Sequence, residues 1–309
     1  LEEMEYNSCT CPVCLEHGLG LKRLRGGERV KALALHNLYV CFGEINAVKQ
    51  SISRGRLWEH VCLRARGHPA MLEALDALKA HTGWIASLDS VTKNSALFHT
   101  GIESEFRPEA VNARERMARV EASGNTIPVK PFGDVPVELL DAYPFGQNIH
   151  FENQEDFQLR VKDLEKLRGI ADYQFGSGAG RLIPDDVRIK KSRKTGRIRW
   201  VYHDEGLFLT VRASDHFILP KMPYAKRLHD AFSKPRLRLV LSDEPEAVEC
   251  VREGKSVFAK FVESVDPLLR CQDECLVVDS RDDLIRVGTL HMSPKEIIDF
   301  NYGMAVRVR

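Results

Sequence analysis

Three cysteines lie within six residues near the start of the chain, in the sequence CTCPVC at positions 9–14. Thiolates at this spacing, on a turn that contains Pro12, can converge on one tetrahedral zinc ion, which then needs a fourth nitrogen or sulfur ligand. The two candidates are His17 and His36, and a reduced cluster without metal is the alternative. We favour His36, because zinc would then pin a flexible glycine-containing loop to a helix. The expected ligands of one structural Zn²⁺ per chain are Cys9, Cys11, Cys14 and His36.

The other cysteines do not indicate a disulfide framework. The chain has 309 residues and begins with Leu-Glu-Glu-Met-Glu, which is not a secretory signal, and disulfide frameworks are typical of short secreted chains. Cys41 and Cys62 fall in apolar helical patterns, so we expect both to be buried. No run of about 18 apolar residues suggests a membrane span, and we expect a soluble, cytoplasmic protein without membrane contacts.

Positive charge is concentrated in one segment. The whole chain has 45 basic and 44 acidic residues, whereas residues 181–199 contain eight basic and two acidic ones, a net charge of +6. The pattern predicts two strands, 187–193 and 197–202, joined by a turn at 194–196. With Trp200 and Tyr202 flanking it, such a hairpin suits contact with phosphates, and a merely solvated face is the alternative. The basic residues are Arg181, Arg188, Lys190, Lys191, Arg193, Lys194, Arg197 and Arg199.

A glycine-rich stretch, YQFGSGAGR at 173–181, precedes the basic segment. No apolar strand comes before it and no Gly-Lys-Ser/Thr follows, so it favours a tight turn over a nucleotide-phosphate loop. Further on, ASDHF carries His216 where a small residue such as glycine would be expected.

Hydrophobic periodicity outlines the elements that must hold these residues. Apolar positions at spacings of three and four predict helices from about residue 38 to 52, from 57 to 65 and after Pro69, and another over 154–169. The last 75 residues show short, closely spaced strands, which predict a small mixed β-barrel. There, Ser293-Pro-Lys-Glu is a capping box that begins a short helix.

Together these segments resemble one family, the archaeal-type tRNA-guanine transglycosylases. The resemblance covers almost the whole chain and is carried by CTCPVC with LALHNLYV, RLWEHVCLRARGHP, FGDVPVELLDAYPFGQ, YQFGSGAG, IKKSRKTGRIRWVY and GKSVFAKFV with the terminal VGTLHMSPKEIIDFNYGMAVRVR. It implies the same four zinc ligands. It also implies an α+β multidomain fold made of the zinc-binding helical end of a TIM barrel, two small α+β domains and a C-terminal PUA β-barrel. The corresponding domains are 1–95, 96–150, 151–232 and 233–309.

The family exchanges a D-loop guanine of tRNA for 7-cyano-7-deazaguanine through an aspartate nucleophile, in archaeosine biosynthesis. That aspartate lies on a barrel that precedes the zinc motif, and only eight residues precede Cys9 here. We therefore assign no catalytic residue, and 7-cyano-7-deazaguanine would be bound only by the missing barrel. A fragment of a longer enzyme is the first explanation, and a naturally split enzyme is the second.

The resemblance also implies the partners. The PUA domain of the family grips the acceptor stem and CCA end of tRNA, and the family dimerises near the zinc region, so we expect a homodimer or association with a catalytic chain. The alternatives are a stand-alone tRNA-binding protein and the paralogue archaeosine synthase, although no Pro-Cys-x-x-Lys-Pro-Tyr run is present. The expected RNA-binding residues are Arg181, Lys190, Lys191, Arg193, Lys194, Arg197, Arg199, Lys255 and Lys260.

Overall fold

The structure is a computed structural model that describes residues 5–121, 124–149 and 161–309. It divides into two compact units, residues 1–61 and residues 62–309. Part of the helix predicted over 154–169 lies outside the described residues, as does the predicted domain boundary between residues 150 and 151.

The first unit is helical over its described residues. Helix α1 (Pro12–His17) leads through a 3-10 helix (Gly18–Lys22) into the long helix α2 (Gly26–Ser53). A small core buries Val13, Cys14, Leu21 and Ala32. This core packs α1 against α2 and so holds the cysteine-bearing turn beside the long helix.

The start of α2 differs from the sequence prediction. A flexible glycine loop was expected up to about His36, but residues 18–22 form a 3-10 helix and α2 begins at Gly26. Strong helix formers follow that position, in the sequence ERVKALAL, and Glu28 places a negative charge in the first turn, where the helix dipole favours it. These local preferences outweigh two glycines, and His36 therefore lies within α2.

The next three helices include the two that were predicted, over 57–65 and after Pro69. They are α3 (Leu57–Ala65), α4 (Pro69–Ala77) and α5 (Thr82–Leu88). Cys62 is fully buried, as expected, whereas the expectation for Cys41 is wrong because its side chain is exposed. Cys41 lies on the predicted apolar face of α2, and that face is exposed rather than packed. None of the helices among the described residues is long and apolar enough to cross a membrane.

Short elements follow in the middle of the chain. Strand β1 (Leu97–Phe98) pairs in parallel with β4 (Asn148–Ile149), and β2 (Thr126–Val129) forms a hairpin with β3 (Gly133–Pro136). Helix α6 (Pro108–Met117) lies between β1 and β2 in sequence.

A second region is built around an antiparallel sheet. Helix α7 (Asp163–Phe175) precedes four strands in the order β5-β6-β7-β8, and helix α8 (Met222–Ala231) follows them. The strands are β5 (Arg188–Lys191), β6 (Ile198–His203), β7 (Gly206–Val211) and β8 (Ile218–Pro220). The pairing of β5 with β6 confirms the predicted basic hairpin. His216 adopts φ +61°, which explains why a glycine was expected there.

The last region is a six-stranded sheet in the order β10-β14-β13-β12-β9-β11. Its two edge strands, β10 and β11, are consecutive in the chain and are joined by one 3-10 turn (Ala259–Phe261). Helices α9 (Pro245–Arg252) and α10 (Pro294–Phe300) accompany the sheet, and α10 begins at the predicted capping box of Ser293. The strands are β9 (Arg238–Leu241), β10 (Val257–Phe258), β11 (Val262–Val265), β12 (Glu274–Val278), β13 (Leu284–Leu290) and β14 (Met304–Val308).

One continuous apolar core joins these regions of the second unit, from Val91 to Val308. A buried ion pair strengthens the connection. Both guanidinium Nη atoms of Arg116, on α6, donate to the carboxylate of Asp273, before β12, at 2.9 and 2.6 Å. This bidentate geometry fixes the two groups relative to each other.

Candidate metal centre and basic hairpin

Three sulfur atoms and one imidazole nitrogen meet at the junction of α1 and α2. The Nδ1 atom of His36 lies 3.7 Å from the Sγ of Cys9, 3.4 Å from that of Cys11 and 3.2 Å from that of Cys14. All four potential ligand atoms lie within 4.8 Å of one another. Ideal zinc–sulfur and zinc–nitrogen distances in a tetrahedron place neighbouring sulfur and nitrogen ligands about 3.6 Å apart. The four residues therefore fit a tetrahedral metal ion.

Local backbone structure positions the three sulfurs. Cys11 is the N-cap of α1, with Pro12 at the first helical position, and its Sγ accepts a hydrogen bond from the backbone N–H of Cys14 at 3.4 Å. The backbone N–H of Cys9 donates to Oδ1 of Asn7 at 3.1 Å. A cysteine that caps a helix turns its sulfur back toward the first turn, and so toward the next cysteine of the motif.

The surroundings favour a thiolate at Cys11. Burial raises the pKa of this thiol. Hydrogen bonds from the Cys14 backbone and from His36 lower the pKa by more than burial raises it, so that it falls to about 6. Burial raises the pKa of Cys14. A bound cation would favour the thiolate at every cysteine of the group, since metal ligands must be deprotonated.

His17, the alternative fourth ligand, is the last residue of α1 and does not belong to the group of close ligand atoms. His36 is held in the middle of a helix, so its ring is positioned by that helix rather than by a loop.

The hairpin of β5 and β6 presents a basic and aromatic face. Across the pair, Arg188 lies opposite Tyr202 and Lys190 lies opposite Trp200, so these four side chains project to one side of the sheet. The Arg188 guanidinium stacks 4.6 Å from the centre of the Tyr202 ring. Ile189, on the opposite side, packs toward the core. The alternation therefore separates an apolar inner face from a cationic outer face.

Two of the predicted cations already form ion pairs with carboxylates of the chain. Arg181 pairs with Glu121 at 2.5 Å and Lys191 pairs with Asp163 at 2.7 Å. The remaining cations of the segment form no ion pair within the described ranges. They are Arg188, Lys190, Arg193, Lys194, Arg197 and Arg199.

Two predicted lysines lie in the six-stranded region, away from the hairpin in sequence. Lys255 is exposed and pairs with Glu253 at 2.8 Å. Lys260 is exposed and its Nζ lies 4.5 Å from the centre of the Phe261 ring.

Arg188 and Tyr202 were counted with the basic hairpin but were not among the expected RNA-binding residues, and the structure places both on its outer face. Their types and positions were visible in the sequence, but only the strand register shows that they share a face with Lys190 and Trp200. Two-residue alternation along both predicted strands was the available signal.

Four family models match consecutive parts of the chain. Queuine tRNA-ribosyltransferase matches residues 3–70, and the C1 domain of tRNA-guanine transglycosylase dimerisation matches 90–161. The patch-forming domain C2 of tRNA-guanine transglycosylase matches 165–235, and the PUA domain matches 239–309.

Similar full-length proteins carry one name, tRNA-guanine(15) transglycosylase. The chain is 41% identical over 316 residues to that of Pyrococcus furiosus, 39% over 315 to that of Pyrococcus abyssi and 38% over 315 to that of Thermococcus kodakarensis. Each match covers 100% of this chain and 53% of the relative, so the chain spans about half the length of the curated relatives it matches. With these relatives and the four successive domain matches, the chain belongs to the tRNA-guanine transglycosylase family and ends in a PUA domain.

Proposed function

We propose that this chain supplies the metal-binding and tRNA-binding parts of a tRNA-guanine transglycosylase that acts in the cytoplasm. The reaction would exchange a D-loop guanine for 7-cyano-7-deazaguanine, with the catalytic aspartates and the base pocket supplied by a barrel that this chain does not provide. The observation that carries the proposal is the set of relatives named for this enzyme, matched along the whole chain.

We propose that the ion held by Cys9, Cys11, Cys14 and His36 is zinc, one per chain. Three thiolates and one imidazole are a donor set that zinc prefers, and four protein ligands complete its tetrahedron. Such an ion would stabilise the junction of α1 and α2 rather than take part in catalysis. The four residues lie in the matched segment 3–70, which we assign to the closing part of the catalytic barrel.

An exposed apolar stripe on α2 supports this assignment. Leu38, Phe42 and Ile45 are 53%, 62% and 48% exposed, and their spacing places them on one face of the helix. Exposed apolar patches of this kind mark contact surfaces. We propose that the catalytic barrel covers the stripe.

We assign tRNA binding to the remaining domains, taken as 96–150, 151–232 and 233–309. The cationic outer face of the hairpin supports contact with the phosphate backbone, and Trp200 and Tyr202 offer rings on which bases or riboses can pack. The PUA domain, with Lys255 and Lys260, would hold the acceptor stem and its CCA end.

The test of the tRNA assignment is charge reversal at three residues of the hairpin. The triple variant Lys190→Glu, Lys191→Glu and Arg193→Glu should bind a tRNA transcript at least tenfold more weakly, with a shallower dependence of log affinity on log salt concentration. The matched control is Lys295→Glu, an exposed lysine that already pairs with Asp299 at 2.9 Å. An unchanged salt slope in the triple variant would mean that the hairpin is only a solvated face.

A further inference from the structure

A cavity of about 270 Å³ lies in the second unit where three of the matched domains meet. Arg119 lines it from the C1 match, Ser177 from the C2 match and Leu269 from the PUA match, while Arg236 lies in the short connection before the PUA match. None of these residues was expected to contact RNA.

Two guanidinium groups line this cavity. Neither Arg119 nor Arg236 forms an ion pair with any residue in the part of the chain that the structure describes. Arg236 donates from Nε and Nη2 to the carbonyl oxygen of Phe175, at 3.3 Å each, and lies 4.7 Å from the centre of the Phe232 ring. Burial, together with the charge of Arg116, lowers the pKa of Arg119 to about 10.

The acidic residues that line the same cavity are already satisfied. Asp273 accepts the bidentate hydrogen bonds of Arg116, and Asp266 accepts from the backbone N–H groups of Leu237 and Leu268 at 2.7 and 2.9 Å. Two half-buried positive charges therefore share a cavity whose carboxylates are hydrogen-bonded to other groups, and Asp273 acts on Arg119 only as a nearby charge. Partly desolvated cations without a counterion are costly, so the arrangement favours an anion from outside the chain.

The glycine-rich turn makes room for this arrangement. Gly176 has φ +115°, and a Cβ at that position would overlap the Arg236 guanidinium. The turn is held by Asp172, whose carboxylate accepts from the backbone N–H of Gly180 at 2.7 Å, and by Ser177, whose hydroxyl donates to the carbonyl of Arg119 at 2.7 Å. The glycine-rich turn thus leaves space for the Arg236 guanidinium at Gly176 and contacts the backbone of Arg119 through Ser177.

We propose that Arg119 and Arg236 form a phosphate-binding site at this three-domain junction, filled in the complex by a backbone phosphate of the RNA. Guanidinium groups match the geometry of phosphate oxygens, and each offers several N–H donors in a fixed plane. The claim that the phosphate belongs to an RNA rests on the proposed function. The claim that Arg119 and Arg236 bind a phosphate does not. The glycine-rich motif would therefore support phosphate binding by leaving space for Arg236, and not by offering its own backbone N–H groups to the phosphate.

The first experiment uses inorganic phosphate as the probe and the full chain as the protein. Thermal unfolding is followed in phosphate and in chloride at matched ionic strength. Phosphate should raise the melting temperature of the wild type by about 2 °C or more, and Arg119→Gln and Arg236→Gln should each abolish the rise. The control Arg281→Gln, an 80% exposed arginine paired with Asp279 at 3.8 Å, should keep it. A wild type that does not respond, or an Arg119→Gln variant that responds fully, overturns the site.

Folding of the variants is checked in the same experiment. Arg119→Gln in chloride should melt no lower than the wild type, because its guanidinium has no carboxylate partner among the described residues to lose. A structural role for Arg119 would instead lower the melting temperature in both salts.

The second experiment decides whether the phosphate belongs to RNA. Arg119→Gln and Arg236→Gln should each weaken binding of a tRNA transcript roughly tenfold, and the slope of log affinity against log salt should fall by about 0.7–0.9. Unchanged affinity and slope, with the phosphate response intact, would assign the site to a free phosphate and overturn the RNA part of the inference. If the wild type does not bind tRNA at all, the proposed function fails, and the phosphate response still decides whether the site exists.

Discussion

At the scale of single residues, the chemistry of this chain lies in groups that the sequence separates and the fold brings together. Cys9, Cys11 and Cys14 form a short motif, but His36 comes from about the third turn of helix α2, whose start the sequence does not reveal. That these four residues come together was predictable, because cysteines at this spacing can converge on one ion that then needs a fourth ligand, and His36 was the favoured candidate. The ion pair of Arg116 could not be predicted, because Asp273 is 157 positions away in the sequence. The position of Arg236 could not be predicted either, because the space beside Gly176 exists only in the folded chain.

Replacing one thiol tests the metal centre. Cys11→Ser should reduce bound zinc from one equivalent to less than half and lower the melting temperature by roughly 5 °C or more, because binding energy of the metal contributes to folding. Metal content by mass spectrometry and thermal unfolding by circular dichroism are the measurements. The matched control is Cys41→Ser, an exposed cysteine outside the cluster, which should change neither. Equal zinc content in the two variants would rule out the proposed ligand set.

A buried carboxylate makes stability depend on pH. Glu109 accepts hydrogen bonds from Lys93 at 2.7 Å and from Arg107 at 2.9 and 3.1 Å. Burial raises the pKa of Glu109. The two cations lower the pKa by more than burial raises it, so that it falls to about 2. A depressed pKa contributes stability above the pKa of the unfolded chain, about 4.3, and this contribution is lost as the pH falls toward about 2.

In the variant Glu109→Gln, the free energy of unfolding, measured with urea, should therefore fall less steeply than in the wild type between about pH 4.5 and pH 2. At pH 7 it should be about 3–5 kcal/mol less stable, because the carboxylate that neutralises the buried Arg107 is lost and Lys93 keeps only Asp89, at 2.7 Å. Glu263→Gln changes an exposed glutamate and should retain the wild-type dependence. A wild-type slope in Glu109→Gln would show that other groups govern acid unfolding.

At the scale of elements, prediction succeeded where local signals determine structure. The hairpin of β5 and β6 follows from alternation and a Thr-Gly turn, and α10 follows from its capping box. It failed for the start of α2, where glycines indicated a loop but the following helix formers prevailed. The periodicity of α2 was interpreted correctly as one apolar face, yet burial of Cys41 on that face could not follow from periodicity alone, because burial depends on a partner surface.

The capping box of α10 offers a quantitative test of local structure. The Ser293 hydroxyl accepts from the backbone N–H of Glu296 at 3.3 Å, and the Glu296 carboxylate accepts from the Ser293 backbone N–H at 2.8 Å. Ser293→Ala should lower the free energy of unfolding by about 1 kcal/mol, measured with urea. Ser214→Ala, at an exposed serine, should change it by less than about 0.5 kcal/mol. Equal effects would mean that the cap does not stabilise the helix.

At the scale of the whole molecule, the chain combines a helical unit that carries the candidate metal centre with a second unit in which one core joins the remaining domains. The near-neutral total charge conceals the cationic hairpin and the two arginines at the domain junction. The second unit therefore carries the cations that we propose for contact with RNA, and the first unit carries the apolar stripe that we assign to the catalytic barrel.

Disrupting the stripe separates folding from assembly. Phe42→Glu should change the melting temperature of the isolated chain by less than about 2 °C, because Phe42 is 62% exposed. It should also abolish co-sedimentation with a separately expressed barrel from a related transglycosylase, as a buried unpaired carboxylate opposes association. Wild-type co-sedimentation of Phe42→Glu would place the barrel contact elsewhere.

The central claim is that this chain binds tRNA for a reaction whose nucleophile another polypeptide segment supplies. The direct measurement is incorporation of radiolabelled guanine into a tRNA transcript, with the purified chain alone, with the separate catalytic barrel alone and with both. We expect no incorporation by the chain alone and at least tenfold more by the mixture than by the barrel alone. Incorporation by the chain alone, or no gain in the mixture, would contradict the account.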